Sequence, residues 1–321
     1  MITAVRCHLP ETRLTNDDLA ALFPEWPSEK IYQKTGIRER RVAGPDETAG
    51  DLAFHAALRL LEDRDRSRIG FILHCTQSPD YLLPTTACLL QNRLGLPQRC
   101  GALDFNLGCS GYIYGLALAD GLLRAGHTDA VLLLTGETYS KLLDSKDKGT
   151  RTIFGDAGTA TLLESASPNR LHSFVFGTDG SGAKFLIVPG SGMRRPSGSE
   201  PAGPQPLEMN GPEVFNFTVR VVPPLIDQIL ERGKIELRDV DYFVFHQANA
   251  FMIEHLRRRL GIPADKFALS LEYVGNTVSS SIPIAIESAL ANGKIRPGMR
   301  ILLAGFGVGL SWAGCLLDWK G

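Results

Sequence analysis

An internal duplication constrains the fold of this chain more than any other feature. An apolar run from Ile69 to Leu73 leads through a helical pattern, Thr85 to Leu94, to Leu94-Gly95-Leu96-Pro97. A second run, Tyr242 to Phe245, leads through Ala250 to Leu260 and closes on Leu260-Gly261-Ile262-Pro263. Gly108-Cys109 follows Gly95 by 13 residues and Gly275-Asn276 follows Gly261 by 14, each after a short run read as a strand, Ala102 to Asn106 and Ala268 to Tyr273. Each pair opens a helical pattern that ends on a glycine 18 residues later, Gly126 and Gly293. The next apolar runs, Asp129 to Leu134 and Gly298 to Leu303, also correspond. Two units in register predict two similar halves about a pseudo-twofold axis. They put Cys109 and Asn276 at equivalent places, each at the start of a helix.

The alternation of apolar runs with helical patterns, continued by Ala130 to Thr135 and Ile301 to Ala304, predicts an α/β fold with buried, largely parallel strands. At 321 residues and 44% hydrophobic content the chain can bury a core of that size. Pro189 to Pro212, crowded with Gly, Pro and Ser, reads as a loop or cover segment. The expected division lies near Pro168, into an N-terminal half, 1–168, with Cys109 and a C-terminal half, 169–321, with His246 and Asn276.

A formal net charge of -1 gives no global electrostatic footprint for nucleic acid. The local basic run Arg257-Arg258-Arg259 reads by composition as a solvated helix face, and its members fan out by about 100° each. The six cysteines form no C-x-x-C pair and no zinc-like spacing with histidine, so neither a metal site nor a disulfide framework is expected. The N-terminus lacks the pattern of a signal peptide, and no apolar run reaches about 18 residues. A cytoplasmic chain with reduced thiols and no membrane segment is expected.

Three residues stand where chemistry is commonly placed. Cys109, flanked by small residues in Gly108-Cys109-Ser110-Gly111, fits a strand-to-helix turn that exposes a nucleophile. A helix N-terminus favours thiolate, and reactive thiols there reach pKa values of about 3.5 to 7.5. Taken alone it also fits a small buried apolar residue. His246 ends the Tyr242 to Phe245 run, at the carboxyl end of a strand, where open α/β sheets bind ligands. Asn276 by itself reads as a helix cap or turn residue, and gains a functional reading from the set. The glycine-rich turn Gly305-Phe306-Gly307-Val308-Gly309 is not a dinucleotide fingerprint, and its backbone N–H groups suit an oxyanion hole shared with the amide of Cys109.

Together Gly108-Cys109-Ser110-Gly111, His246-Gln247-Ala248-Asn249, Gly275-Asn276-Thr277 and Phe306-Gly307-Val308-Gly309 resemble β-ketoacyl-acyl-carrier-protein synthase III of the thiolase superfamily. Thr35-Gly36-Ile37-Arg38-Glu39-Arg40 and Phe154-Gly155-Asp156-Ala157-Gly158 extend the resemblance through nearly the whole chain. It implies a thiolase-like fold in layered α/β/α/β/α arrangement, a homodimer, and no cofactor or metal beyond the acyl-coenzyme A or acyl-carrier-protein substrates. By the same resemblance Cys109 takes an acyl group, with the amides of Cys109 and Val308 holding the oxyanion. His246 and Asn276 then donate to the enolate oxygen as malonyl-carrier protein loses carbon dioxide, and Phe306 shields the centre.

The sequence departs from the family around the donor. Lys30 stands where relatives have a Trp that stacks on adenine, Lys34 replaces a phosphate-binding Arg, and Phe251 replaces another Arg. Lys148 keeps a basic position, and Asn249 belongs to the same donor or carrier set. Lysine cannot restore the stacking or bidentate contacts of Trp and Arg. Arg258 and Arg259 match basic positions that dock acyl carrier protein. Leu83 stands where the family often has a Phe that reaches across the dimer into the acyl pocket, and its smaller side chain implies a longer or bulkier acyl group. Acyl transfer to an alcohol or amine, a noncatalytic partner subunit and a cysteine hydrolase are the alternatives. Asn276 favours condensation over acyl transfer, the intact Cys109 turn favours it over a noncatalytic subunit, and the duplication with the lack of a secretory signal favours it over a hydrolase.

Overall fold

The structure, a computed structural model, describes residues 1–194 and 205–321. Of the Pro189 to Pro212 cover segment, residues 195–204 lie outside the described residues; Glu208–Met209 pairs with Leu186–Ile187 as a short antiparallel ribbon.

Two mixed sheets form the frame. The first orders its strands Ile2–His8, Ala157–Glu164, Ala130–Glu137, Phe71–Cys75 and Gly101–Phe105. The second orders Tyr242–Phe245, Arg300–Gly307, Ser311–Asp318 and Arg170–Thr178. The expectation of largely parallel strands needs correction. Parallel pairing holds for Phe71–Cys75 with both of its neighbours and for Tyr242–Phe245 with Arg300–Gly307. The remaining pairs are antiparallel. A helical crossover can return a strand parallel, whereas the short link from Gly307 to Ser311 reverses it.

Alternate residues of each strand feed different cores, as a period of two requires. Leu132, Leu134 and Leu162 pack under helices Ala49–Leu60 and Thr86–Arg93. Val131, Leu133 and Leu163 face inward, onto a central core that contains helices Gly111–Arg124 and Ser281–Ala291. Val244, Leu303 and Cys315 close that core from the second sheet. On its other face, Phe243, Phe245 and Leu302 meet helices Gly211–Gly233 and Ala250–Arg259. The layers therefore run α/β/α/β/α, with the helices that follow Cys109 and Asn276 side by side in the middle.

The duplicated landmarks share backbone conformation. Gly95 and Gly261 have φ of 64° and 68°, and Gly126 and Gly293 have 70° and 63°, each just after a helix. That left-handed helix end is where glycine avoids a Cβ penalty. The halves diverge at Ala268 to Tyr273, which is not a strand. Only a bridge, Phe243 with Phe267, forms there. Beyond it the chain leaves the sheet edge because the Ser270 N–H donates to Oε1 of Gln247 and the Glu272 carbonyl accepts from the Arg38 N–H.

Candidate active site

Cys109, His246 and Asn276 come from three separate loops and line one cavity of about 90 Å³, together with Phe306, Gly307 and Asn249. Each is almost fully buried. The convergence follows from the central pair of helices, since Cys109 lies two residues before Gly111–Arg124 and Asn276 five before Ser281–Ala291. In the second half a 3-10 turn, Val278–Ser280, occupies the extra residues.

Strand Arg300–Gly307 runs against the nucleophile turn. A Cβ added at Gly307 would lie 2.7 Å from Cys109 Sγ, and one at Gly305 would lie 2.6 Å from the Cys109 carbonyl oxygen. Both glycines are needed for this approach. The Val308 N–H donates to Sγ and favours thiolate, but burial outweighs it and pushes the thiol up to about 12. Burial therefore opposes the thiolate that the position before a helix N-terminus favours.

His246 follows strand Tyr242–Phe245, and its N–H donates to the Ala304 carbonyl at 2.8 Å. Its Nδ1 lies 2.7 Å from Ser281 Oγ, which fixes the ring and leaves Nε2 for the cavity. Burial pulls the imidazole down to about 3, so it is neutral at physiological pH. The Phe306 ring meets it edge-on, with centroids 5.9 Å apart.

Asn276 is held by its backbone, its N–H donating to the Ile153 carbonyl at 2.9 Å and its carbonyl accepting from Gly155 at 3.0 Å. Its Oδ1 accepts from the Val278 N–H at 2.9 Å. With the oxygen so occupied, the amide NH₂ is the group left to a ligand. Val278 itself has a φ of 52°, a strained value for a β-branched residue, at the junction between Asn276 and Ser281.

The other sequence candidates occupy several places. Asn249 caps helix Ala250–Arg259 through Oδ1, which accepts from Met252 at 2.8 Å. Arg258 and Arg259 are exposed on that helix, whereas Arg257 turns inward to Glu254 and the Ile262 carbonyl. Phe251, 65% exposed, rests beside Phe215. Lys30, Lys34 and Lys148 converge on the ring of Trp26 at 5.9, 5.4 and 5.5 Å. Leu83 is 86% exposed and lines neither this cavity nor the one beside it.

Sequence reasoning missed Trp26, Ser281 and Glu137. Trp26 lies four residues before the Lys30 position and shows itself only through the helical arrangement. Ser281 closes a run of three serines just after Asn276, a signal that was legible. Glu137 is buried, and its carboxyl takes hydrogen bonds from Ser279, Ser78 and the Gln77 N–H. Burial lifts it to about 8.

Known protein families give two matches to the chain. The model for 3-oxoacyl-[acyl-carrier-protein (ACP)] synthase III matches residues 103–180, and that for its C-terminal part matches residues 230–319. A relative from Halalkalibacterium halodurans, beta-ketoacyl-[acyl-carrier-protein] synthase III 2, is 37% identical over 99% of this chain and 96% of its own. The chain belongs to the 3-oxoacyl-[acyl-carrier-protein] synthase III family. A solved 3-oxoacyl-(acyl-carrier-protein) synthase III superimposes with a TM-score of 0.95 at 49% identity, covering 99% of both chains. The priming β-ketosynthase of the R1128 polyketide pathway, at 30% identity, gives a TM-score of 0.90 over 99% of this chain and 96% of that one. The fold is thus the thiolase fold of this family. Among the described residues no helix is long and apolar enough to cross a membrane, and no cluster of three or more His, Cys, Asp or Glu side chains could hold a metal ion.

Proposed function

We propose that the protein is a condensing acyltransferase that joins an acyl group carried on Cys109 to malonyl-acyl carrier protein with loss of carbon dioxide. The product is a 3-oxoacyl thioester for fatty acid or specialised acyl-chain synthesis. The observation that carries the reading is the donor pair facing Cys109: a neutral His246, and an Asn276 whose oxygen is already bound, so that its NH₂ points to a ligand. Two neutral donors suit an enolate oxygen, which is stabilised by hydrogen bonds already in place.

In the first step the Cys109 thiol passes its proton to His246 as sulfur attacks the donor thioester, and the amides of Cys109 and Val308 hold the oxyanion. The departing thiol recovers that proton. In the second, malonyl-carrier protein loses carbon dioxide, with His246 and Asn276 donating to its thioester oxygen. The carbanion attacks the acyl-cysteine, and Sγ leaves as a thiolate that takes up a proton from solvent. Phe306 and Gly307 form the wall over the reaction centre. No metal or organic cofactor takes part.

Arg258 and Arg259 would meet an acidic carrier protein, and Asn249 the pantetheine arm beside the cavity. Lys30, Lys34 and Lys148 around Trp26 suit the phosphates of a coenzyme A or carrier-protein donor. The assembly we propose is a homodimer formed at strand Gly101–Phe105, which among the described residues is paired on one side only, with the exposed Tyr81, Leu82 and Leu83 covered by the second copy. Leu83 would then reach the acyl pocket of the other protomer. We further propose that the halves divide at 1–168 and 169–321, since the first sheet ends at Glu164 and the second begins at Arg170. Mass analysis of the carrier protein after incubation with an acyl thioester and malonyl-carrier protein tests the reading. A 3-oxoacyl adduct supports it. Acyl esters or amides formed from added alcohols or amines, without that adduct, would replace it with simple acyl transfer.

A further inference from the structure

Glu137 ends strand Ala130–Glu137 with its side chain fully buried, and its carboxyl bonds to both halves of the chain. On the first-half side Oε2 accepts from the Gln77 N–H at 3.1 Å and from Ser78 Oγ at 3.2 Å. On the second-half side Oε1 accepts from Ser279 Oγ at 2.8 Å. The Ser78 oxygen already accepts from the Thr138 N–H at 2.9 Å, which leaves its own proton for Glu137. With two hydrogens aimed at Oε2, a proton on the carboxyl belongs on Oε1, where it turns the bond to Ser279 around.

Ser279 is the middle residue of the turn Val278–Ser280, and that turn sets both groups that face Cys109. The Val278 N–H holds Asn276 Oδ1 at 2.9 Å, and the Val278 carbonyl shares Ser281 Oγ with His246 Nδ1, at 2.9 and 2.7 Å. Val278 keeps its left-handed φ of 52°, a conformation that persists where the surroundings over-determine it. Ser280 ties the turn to the Thr135 hydroxyl and the Ala157 carbonyl, both uncharged. Glu137 supplies the contact whose charge can change.

We propose that Glu137 is a positioning residue for decarboxylation: as a neutral acid bonded to Ser279 it braces the turn that aims Asn276 and His246, and as a carboxylate it sets a negative charge against the enolate forming there. The inference rests on the reading of Cys109 as acyl carrier and of this pair as enolate donors. The titratable groups that face the carboxyl are Cys75, Cys109, Tyr139 and Asp156, and none of these is a cation that would offset its charge. Burial lifts Glu137 to about 8, so its charge changes within reach of an assay.

The test pre-acylates the chain with an acyl pantetheine thioester, adds malonyl-carrier protein, and measures single-turnover carbon dioxide release at pH 7 and pH 9, with the rate of acylation at both values alongside. Release by the wild type should fall roughly ten-fold over that range, following the neutral fraction of a group near 8. Acylation, which unfolding would also cut, should not share the fall. Glu137→Gln keeps the shape and cannot ionise, so its fall should shrink to about two-fold or less. Ser279→Ala, which cuts the link and keeps the carboxyl, should slow release about ten-fold and acylation much less. Release that does not fall in the wild type, or that falls equally in Glu137→Gln, would overturn the proposal, as would Ser279→Ala slowing both steps alike. Should Glu137→Gln fail to fold, the wild-type pH profile and Ser279→Ala decide. A wild type that is not acylated, or is acylated without releasing carbon dioxide, would overturn the reading beneath the proposal as well.

Discussion

Ser281 Oγ lies 2.7 Å from Nδ1 of His246, and the same hydroxyl lies 2.9 Å from the Val278 carbonyl. One hydroxyl proton cannot serve both. Given to Nδ1, it leaves the imidazole proton on Nε2 as a donor; given to Val278, it requires the proton on Nδ1 and leaves Nε2 as a base. Acylation calls for the second state and decarboxylation for the first.

Ser281→Ala should therefore slow condensation more than it slows loading of Cys109. We expect a loss of roughly ten- to a hundred-fold in carbon dioxide release, within the range that positioned acid or base groups contribute. Parallel rates of loading and release on the variant check this. Equal losses in both would show that Ser281 supports only the fold.

Gly307→Ala places a methyl 2.7 Å from Cys109 Sγ. A buried sulfur at that distance must shift, and the surrounding core resists such overpacking. Acylation should fall by at least about a hundred-fold, by the usual sensitivity of reacting groups to misplacement of about 1 Å. Circular dichroism should show the fold retained. Unchanged acylation would mean that the nucleophile does not lie against this strand.

Cys109, pushed up to about 12 by burial, should react as a thiol through neutral pH. Its alkylation by iodoacetamide should rise close to ten-fold per pH unit between about pH 7 and 9, because the thiolate fraction rises in proportion. Rates measured against a Cys109→Ser control isolate this site. A plateau below pH 8 would mean that the thiolate is stabilised more strongly than burial allows.

Glu137 binds its proton more tightly in the folded chain, at about 8, than in the unfolded chain, whose carboxyl has the ordinary value of 4.5. Between these values the native state holds more protons, so stability falls as pH rises through the window. The loss amounts to an order of magnitude of 3 to 5 kcal/mol. Glu137→Gln, which keeps the shape without the charge, should flatten this slope in urea unfolding at pH 5 and pH 8. An identical slope in both proteins would assign the pH dependence to other groups.

The duplication made much of this legible. Gly95 with Gly261 and Gly126 with Gly293 are paired in sequence and in left-handed conformation, and the layered arrangement follows from them. Convergence of Cys109, His246 and Asn276 was legible because each sits at a strand end or helix start that the topology brings together. Strand direction was less so, since hydrophobic runs look alike whether a strand is parallel or antiparallel. Ala268 to Tyr273 misled because, of its apolar residues, only Ala268 and Leu271 are buried, and hydrogen bonds to Gln247 and Arg38 hold the segment as a loop. The state of Cys109 depends on burial, which its neighbours in sequence do not report. Glu137 and Ser279 meet only in three dimensions, over a sequence separation of 142 residues.

The most direct test is to follow the mass of the intact chain through one turnover. After incubation with an acyl pantetheine thioester the wild type should gain one acyl mass, and Cys109→Ala should gain none. Adding malonyl-carrier protein should return the chain to its original mass with release of one carbon dioxide per acyl group, while Asn276→Ala should stay acylated. An acyl mass that persists on Cys109→Ala, or a wild-type adduct that clears without carbon dioxide, would contradict the account.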